Sequence, residues 1–135
     1  MKNQQSAVYS VMLSPIAAAT TERTANLDCQ GADYATIVCQ VGIEVNTNST
    51  NVAVALLESD DTTASNFATF NSATQQTIDN TAATNYVMHV DLKGRKRYLR
   101  VRVTPDTTTN GAVLTSVTGI LDKENKLANS ANASN

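Results

Sequence analysis

The sequence predicts an all-β chain, a single-domain jelly roll or related antiparallel β-sandwich. Three observations carry that expectation. Ser, Thr and Asn supply 43 of the 135 residues, and Thr with Val suits pleated strands while Asn and Ser suit the turns between them. Apolar and polar residues alternate with a period of two over several short runs. Turn chemistry separates those runs at short intervals, with no solenoid or propeller repeat, which is the spacing of a sandwich. The length fits one domain with its own core.

Ala7 to Leu13 (AVYSVML) reads as a first strand ended by Ser14-Pro15. Asn26 to Cys29 is a brief edge piece, followed by a turn over Gln30-Gly31-Ala32-Asp33. Tyr34 to Val41 (YATIVCQV) sets Ala35, Ile37, Cys39 and Val41 on one face, with Tyr34, Thr36 and Gln40 on the other. Val38 breaks that alternation. Residues 42–51 form a polar connection, although Ile43 and Val45 could extend the strand.

Asn51 to Glu58 (NVAVALLE) is apolar at nearly every position, as expected of a strand covered on both faces. Helix is the rival reading, because Ala and Leu favour it; short length and flanking turn residues favour strand. Ser59 to Thr63 is the next turn, Phe67 to Phe70 a short strand, and residues 71–84 an extended polar loop. Asn85 to Leu92 and Arg97 to Thr104 are read as the two arms of a hairpin. Its turn is Lys93-Gly94-Arg95-Lys96, with Gly94 supplying positive φ. In the second arm Leu99, Val101 and Val103 point inward, and Tyr98, Arg100 and Arg102 outward. Pro105 to Gly111 is a turn, and Val113 to Leu121 the last strand. The domain is therefore set at residues 1–121, with an N-terminal arm over about 1–7 and a polar, flexible C-terminal tail over 122–135.

The charge is uneven. Net charge is −2, yet six of the ten basic residues lie between Lys93 and Arg102 and none of the twelve acidic ones do. The segment carries +6 and the remainder −8. A nucleic-acid binder is usually basic over the whole domain, so nucleic acid is not the expected partner. Six aromatic residues, none of them Trp, are few for a sugar-binding face or a base-stacking platform. Cys29 and Cys39 have no metal-ligand spacing, and Cys39 in its apolar run reads as a buried free thiol. The first ten residues hold no apolar signal core, and no run approaches a membrane span. The expectation is synthesis in a reducing cytoplasm, with no membrane partner. Sequon matches at Asn48 and Asn132 follow from composition.

No catalytic constellation stands out. His89 lies in a strand with nothing spaced to orient it, so a solvent-facing ring accepting one hydrogen bond is expected. The five glycines form no phosphate loop. Glu58-Ser59-Asp60-Asp61 lacks the regular oxygens of a calcium loop and reads as a carboxylate-rich turn. Neither enzymatic activity, nor a metal, nor a cofactor is expected. Three readings of the basic segment stay open: edge protection, phosphate binding, and charge-assisted bonds to carboxylates of a partner protein. Three arginines within six residues, beside Tyr98, favour the protein interface. The candidate interface residues are Lys93, Arg95, Lys96, Arg97, Tyr98, Arg100 and Arg102, with Glu58, Asp60 and Asp61 as acidic counterparts that could pair with a neighbouring subunit.

The order of these segments carries a resemblance. It runs from the Val-rich first strand to Asn26-Leu27-Asp28-Cys29-Gln30-Gly31, then Leu56-Leu57-Glu58-Ser59-Asp60-Asp61, then Lys93-Gly94-Arg95-Lys96-Arg97-Tyr98-Leu99-Arg100-Val101, and closes on an apolar strand. It resembles small proteins encoded in the structural gene clusters of tailed bacteriophages, among them capsid decoration (cement) proteins of HK97-type heads. The ESDD and KRYLR stretches are its most specific part, and it spans about residues 8–121. The resemblance implies a jelly roll that clusters as a homodimer or homotrimer on the outer capsid surface of a virion. It also implies the major capsid protein as partner, after assembly in the host cytoplasm. The alternatives are another virion component, such as a head–tail connector or fibre-associated domain, and a polysaccharide- or nucleic-acid-binding module.

Overall fold

Nine strands, counted among the described residues, build two antiparallel sheets. The computed structural model describes residues 7–18, 22–42, 52–70, 76–78, 83–105 and 113–122, with backbone alone at 16–18, 76–78 and 113. The strands are β1 (Val8–Ala18), β2 (Arg23–Asp28), β3 (Tyr34–Val41), β4 (Val52–Ser59), β5 (Ala68–Thr69), β6 (Gln76–Ile78), β7 (Thr84–Asp91), β8 (Tyr98–Pro105) and β9 (Val113–Asp122). One sheet runs β1-β9-β3-β7. The other runs β2-β8-β4-β5, with β6 pairing a second stretch of β4. Successive strands change sheet at every step except from β4 to β6, so the chain winds as a jelly roll.

The core lies between the sheets. Ala35, Ile37, Cys39 and Val41 of β3, Met88 and Val90 of β7, and Val117 and Leu121 of β9 are buried from one side. Leu27 of β2, Val52, Val54 and Leu56 of β4, and Leu99, Val101 and Val103 of β8 meet them from the other. Fully burying an aliphatic side chain of this size stabilises by roughly 1.5–3 kcal/mol. At Gly119 the sheets come too close for a side chain: an added Cβ would lie 2.9 Å from Leu27 Cδ2 and 3.0 Å from Met12 Sδ.

Three expectations change. The first strand does not stop at Ser14-Pro15; β1 continues to Ala18. It is an edge strand, and register shifts between Val11 and Leu13 and between Leu13 and Ile16 insert bulges where a proline lacking N–H is tolerated. The 71–84 segment is not loop throughout, because Gln76–Ile78 pairs with Val52–Val54, and its end, Thr84, begins β7. β7 and β8 are not a hairpin: β7 pairs β3 and β8 pairs β2 and β4. The Lys93–Lys96 turn, with Gly94 at φ 74°, instead crosses from one sheet to the other, since both arms need a buried face on opposite sides of the core. β4 is a strand, as expected, and its outer-face residues Ala55 and Leu57 are buried as well. The extension through Ile43 and Val45, both sequons and the tail from 123 lie outside the described residues.

Candidate functional site: the charged end of the sandwich

Two of the loops that cross between the sheets, β2–β3 and β7–β8, meet at one end of the sandwich. The backbone knits them there. Cys29 N–H donates to Arg97 O at 2.9 Å, Asp33 N–H to Asp122 O at 3.0 Å, and Leu92 N–H to Asp33 O at 3.0 Å. β4 ends at the same place, because its Ser59 pairs across β8 Tyr98, which pairs in turn with β2 Asp28. Register therefore brings Asp28, Glu58, Asp60 and the basic turn together.

The predicted basic and acidic residues meet here, within one chain. Arg97 forms a two-pronged pair with Asp28, Nε to Oδ1 at 3.0 Å and Nη2 to Oδ2 at 2.7 Å, a planar fork that lysine could not reproduce. The Arg97 hydrogen bond holds the Asp28 carboxyl below its ordinary value, and Asp28 raises Arg97 in return. Arg95 lies 3.5 Å from Glu58 and stacks over the Phe70 ring at 4.5 Å. Lys96 lies 3.4 Å from Asp60. The Arg97 guanidinium also lies over Tyr98, 4.9 Å from the ring centroid.

Further along β8 the outward pair serves the sheet beneath it. Arg100 donates to Asn26 Oδ1 at 2.7 Å and to the Ala64 carbonyl at 3.5 Å, with its guanidinium 3.7 Å over the Phe67 ring. It thus ties the 3-10 turn Ala64–Asn66 to the outer face of this sheet, where Leu57, buried, pairs with Arg100 in register. Arg102 reaches Glu22 at 3.9 Å. Asp61 shapes its own turn, accepting from Thr63 N–H at 2.7 Å and Asn66 Nδ2 at 2.8 Å; the Asn66 bond is the main reason its carboxyl is lowered. Lys93 donates its backbone N–H to Asp91, and its ammonium has no ion pair among the described residues.

Asp28, Glu22, Asn26, Phe67 and Phe70 supply the remaining partners, and none of them is among the interface residues expected from the sequence. Their partners lie far along the chain, 69 residues apart for Asp28 and Arg97, and only strand register identifies them. Away from this end, exposed His89 faces Thr36 Oγ1 at 3.1 Å from Nδ1. Cys29 and Cys39 are buried and unbridged, and burial pushes their thiols up to about 11 and about 12. Among the described residues no three His, Cys, Asp or Glu groups come together to hold a metal ion, and no helix is long and apolar enough to cross a membrane.

No protein-family model matches the chain, and no curated protein does. Solved structures do. A chain in the structure of infectious bursal disease virus Gx strain superposes with a TM-score of 0.51 at 9% identity, covering 89% of this chain and 33% of that one. The active domain of bacteriophage CBA120 tailspike protein 4 gives 0.49 at 11% identity, covering 89% and 20%. A carbohydrate-binding module specific for non-crystalline cellulose, CBM28, gives 0.46 at 7% identity, covering 83% and 76%. The chain thus spans a third of the viral chain it matches. At such identities the likeness is one of fold, a β-sandwich.

Proposed function

We propose that this chain is a virion-associated structural protein, a capsid decoration protein. It binds the outer surface of an icosahedral phage head and stabilises contacts between capsomers. The observation that carries this is convergence. The three separated segments on which the phage resemblance rests, around Asp28, Glu58–Asp61 and Lys93–Arg100, fold into the one ion-paired end described above. A sequence pattern shared for one structural reason is a stronger resemblance than three unrelated matches. The sandwich shared with a viral chain is the architecture this role requires.

The role also fits the chemistry. A protein that binds only the assembled lattice stabilises it by mass action, and many symmetry-related copies make modest contacts collectively strong. It acts without catalysis or cofactor, and the major capsid protein is its partner. Because most of the basic residues already have internal partners, the end presents both signs of charge. Such a surface orients a docked partner more than it adds bulk affinity.

Quantitative mass spectrometry of the purified source particle tests the reading. Hundreds of copies per particle are expected. A handful would point to a connector or fibre component instead, and absence from particles would overturn the virion assignment.

A further inference from the structure

Beyond its Asp91–Tyr34–Asp122 row, the outer face of the β1-β9-β3-β7 sheet has no role in the charged end. Register lays its residues out in rows across the strands. One row is Tyr9, Ile120, Thr36, His89; the next is Val11, Thr118, Val38, Val87; a third is Ser116, Gln40, Asn85. None of these is Asp, Glu, Lys or Arg. Val11 is 69% exposed, Tyr9 60% and Val87 44%, so β-branched and aromatic side chains stand in water on both edge strands of the sheet, β1 and β7. Val38, the residue that breaks the alternation of β3, belongs to this middle row. The middle row is apolar at three of its four positions, Val11, Val38 and Val87.

We infer that this face is the homodimer interface, covered by the same face of a second copy. Charge favours that occupant. A two-fold contact sets a surface against itself, so any fixed charge near the axis would meet its like; these rows hold none. An acidic or basic partner would find no complement here. The charges of the sheet lie at one end, in the row of Asp91, Tyr34 and Asp122. That row decides the orientation. An axis perpendicular to the strands sends each acidic row over the uncharged end of the other copy, whereas an axis along the strands would stack the two. Area agrees as well. Four strands about 4.8 Å apart and about 27 Å long give a footprint of roughly 500 Å² per copy, about 1,000 Å² in total, the least that a specific interface needs. Strand addition at the β1 edge is the competing mode, and the two bulges and Pro15 oppose it.

The inference rests on the fold and stands apart from the virion reading, so free protein in solution tests it. Sedimentation equilibrium of the full chain should give a monomer–dimer equilibrium in the micromolar range. Val11→Arg and Val87→Arg each set a charge in the face at an exposed position that the isolated sandwich tolerates. Each should weaken the dimer at least about ten-fold, with circular dichroism melts unchanged. Thr104→Arg, on the outer face of the other sheet, should leave the dimer within about two-fold of the parent. A Val38→Thr variant, close in shape, guards against misfolding and should weaken the dimer by a smaller factor. Monomer at every concentration, a trimer, or equal sensitivity on the two faces would overturn the inference.

Discussion

Asp28 and Arg97 show how one exposed pair can govern a pH limb. The Asp28 carboxyl is held below its ordinary 3.8, chiefly by the Arg97 hydrogen bond. A depressed folded value means the unfolded chain binds the proton more readily, so the stabilisation is complete above 3.8 and is lost as pH falls through the folded value. Asp28→Asn should therefore flatten the acid limb of denaturant stability below about pH 4. The thiols work in the opposite sense. Their folded values near 11 and 12, against an ordinary 9.0, mean that the unfolded chain loses thiol protons first. Stability should decline as pH rises above 9, and at pH 8 an aromatic disulfide reagent should label both cysteines only as fast as the protein unfolds. Thr115 presents a different case: among the described residues its buried Oγ1 has no hydrogen-bond partner. Thr115→Val keeps the shape and removes that orphan, so urea unfolding should show a gain of about 1 kcal/mol.

At the scale of elements, β4 and β8 are the strands on which the second sheet depends. Each has neighbours on both sides, and Leu57 on the outer face of β4 is buried. Arg100 ties the 3-10 turn to that face of the sheet, through Asn26, the Ala64 carbonyl and the Phe67 ring. Arg100→Ala should release the turn at residues 64–67. Hydrogen exchange there is expected to accelerate at least about ten-fold, while the amides of β3 and β9 keep their protection. Equal acceleration in both places would mean the arginine supports the whole fold. Strands β3, β4, β7, β8 and β9 were legible because each carries a regular alternation or an apolar run. β6 was not: QTI offers no pattern, and only the free edge of β4 makes it a strand. Nor was the passage of β1 beyond Pro15, which an edge position with bulges permits.

For the whole molecule, the uneven charge along the chain becomes local cancellation in space. Arg95, Lys96, Arg97 and Arg102 each face a carboxylate of the same chain. Within Lys93–Arg102 only Lys93 and Arg100 lack a carboxylate partner among the described residues. The segment thus has little free charge with which to release counterions from a polyanion, and the protein should pass a DNA column with little retention even at low salt. Strong retention that falls steeply with salt would restore the nucleic-acid reading. The dimer face has the opposite character, with no fixed charge across three rows. One molecule thus separates its surfaces into an ion-paired end and a neutral sheet.

The fold class, the inward faces of β3 and β8, the outward placing of Arg100 and Arg102, and the positive-φ turn at Gly94 are all legible in the sequence. These depend on side-chain period and on the backbone needs of single residues, both of which are local. The sharing of charges was decided only by the tertiary structure. Asp28 meets Arg97, and Glu58 meets Arg95, because strand register and the crossing of the β7–β8 turn between sheets bring distant positions together. Which sheet face would be left neutral was settled in the same way. Pairing across four strands aligned Val11, Val38 and Val87, three valines whose spacing along the chain gives no sign that they share a row.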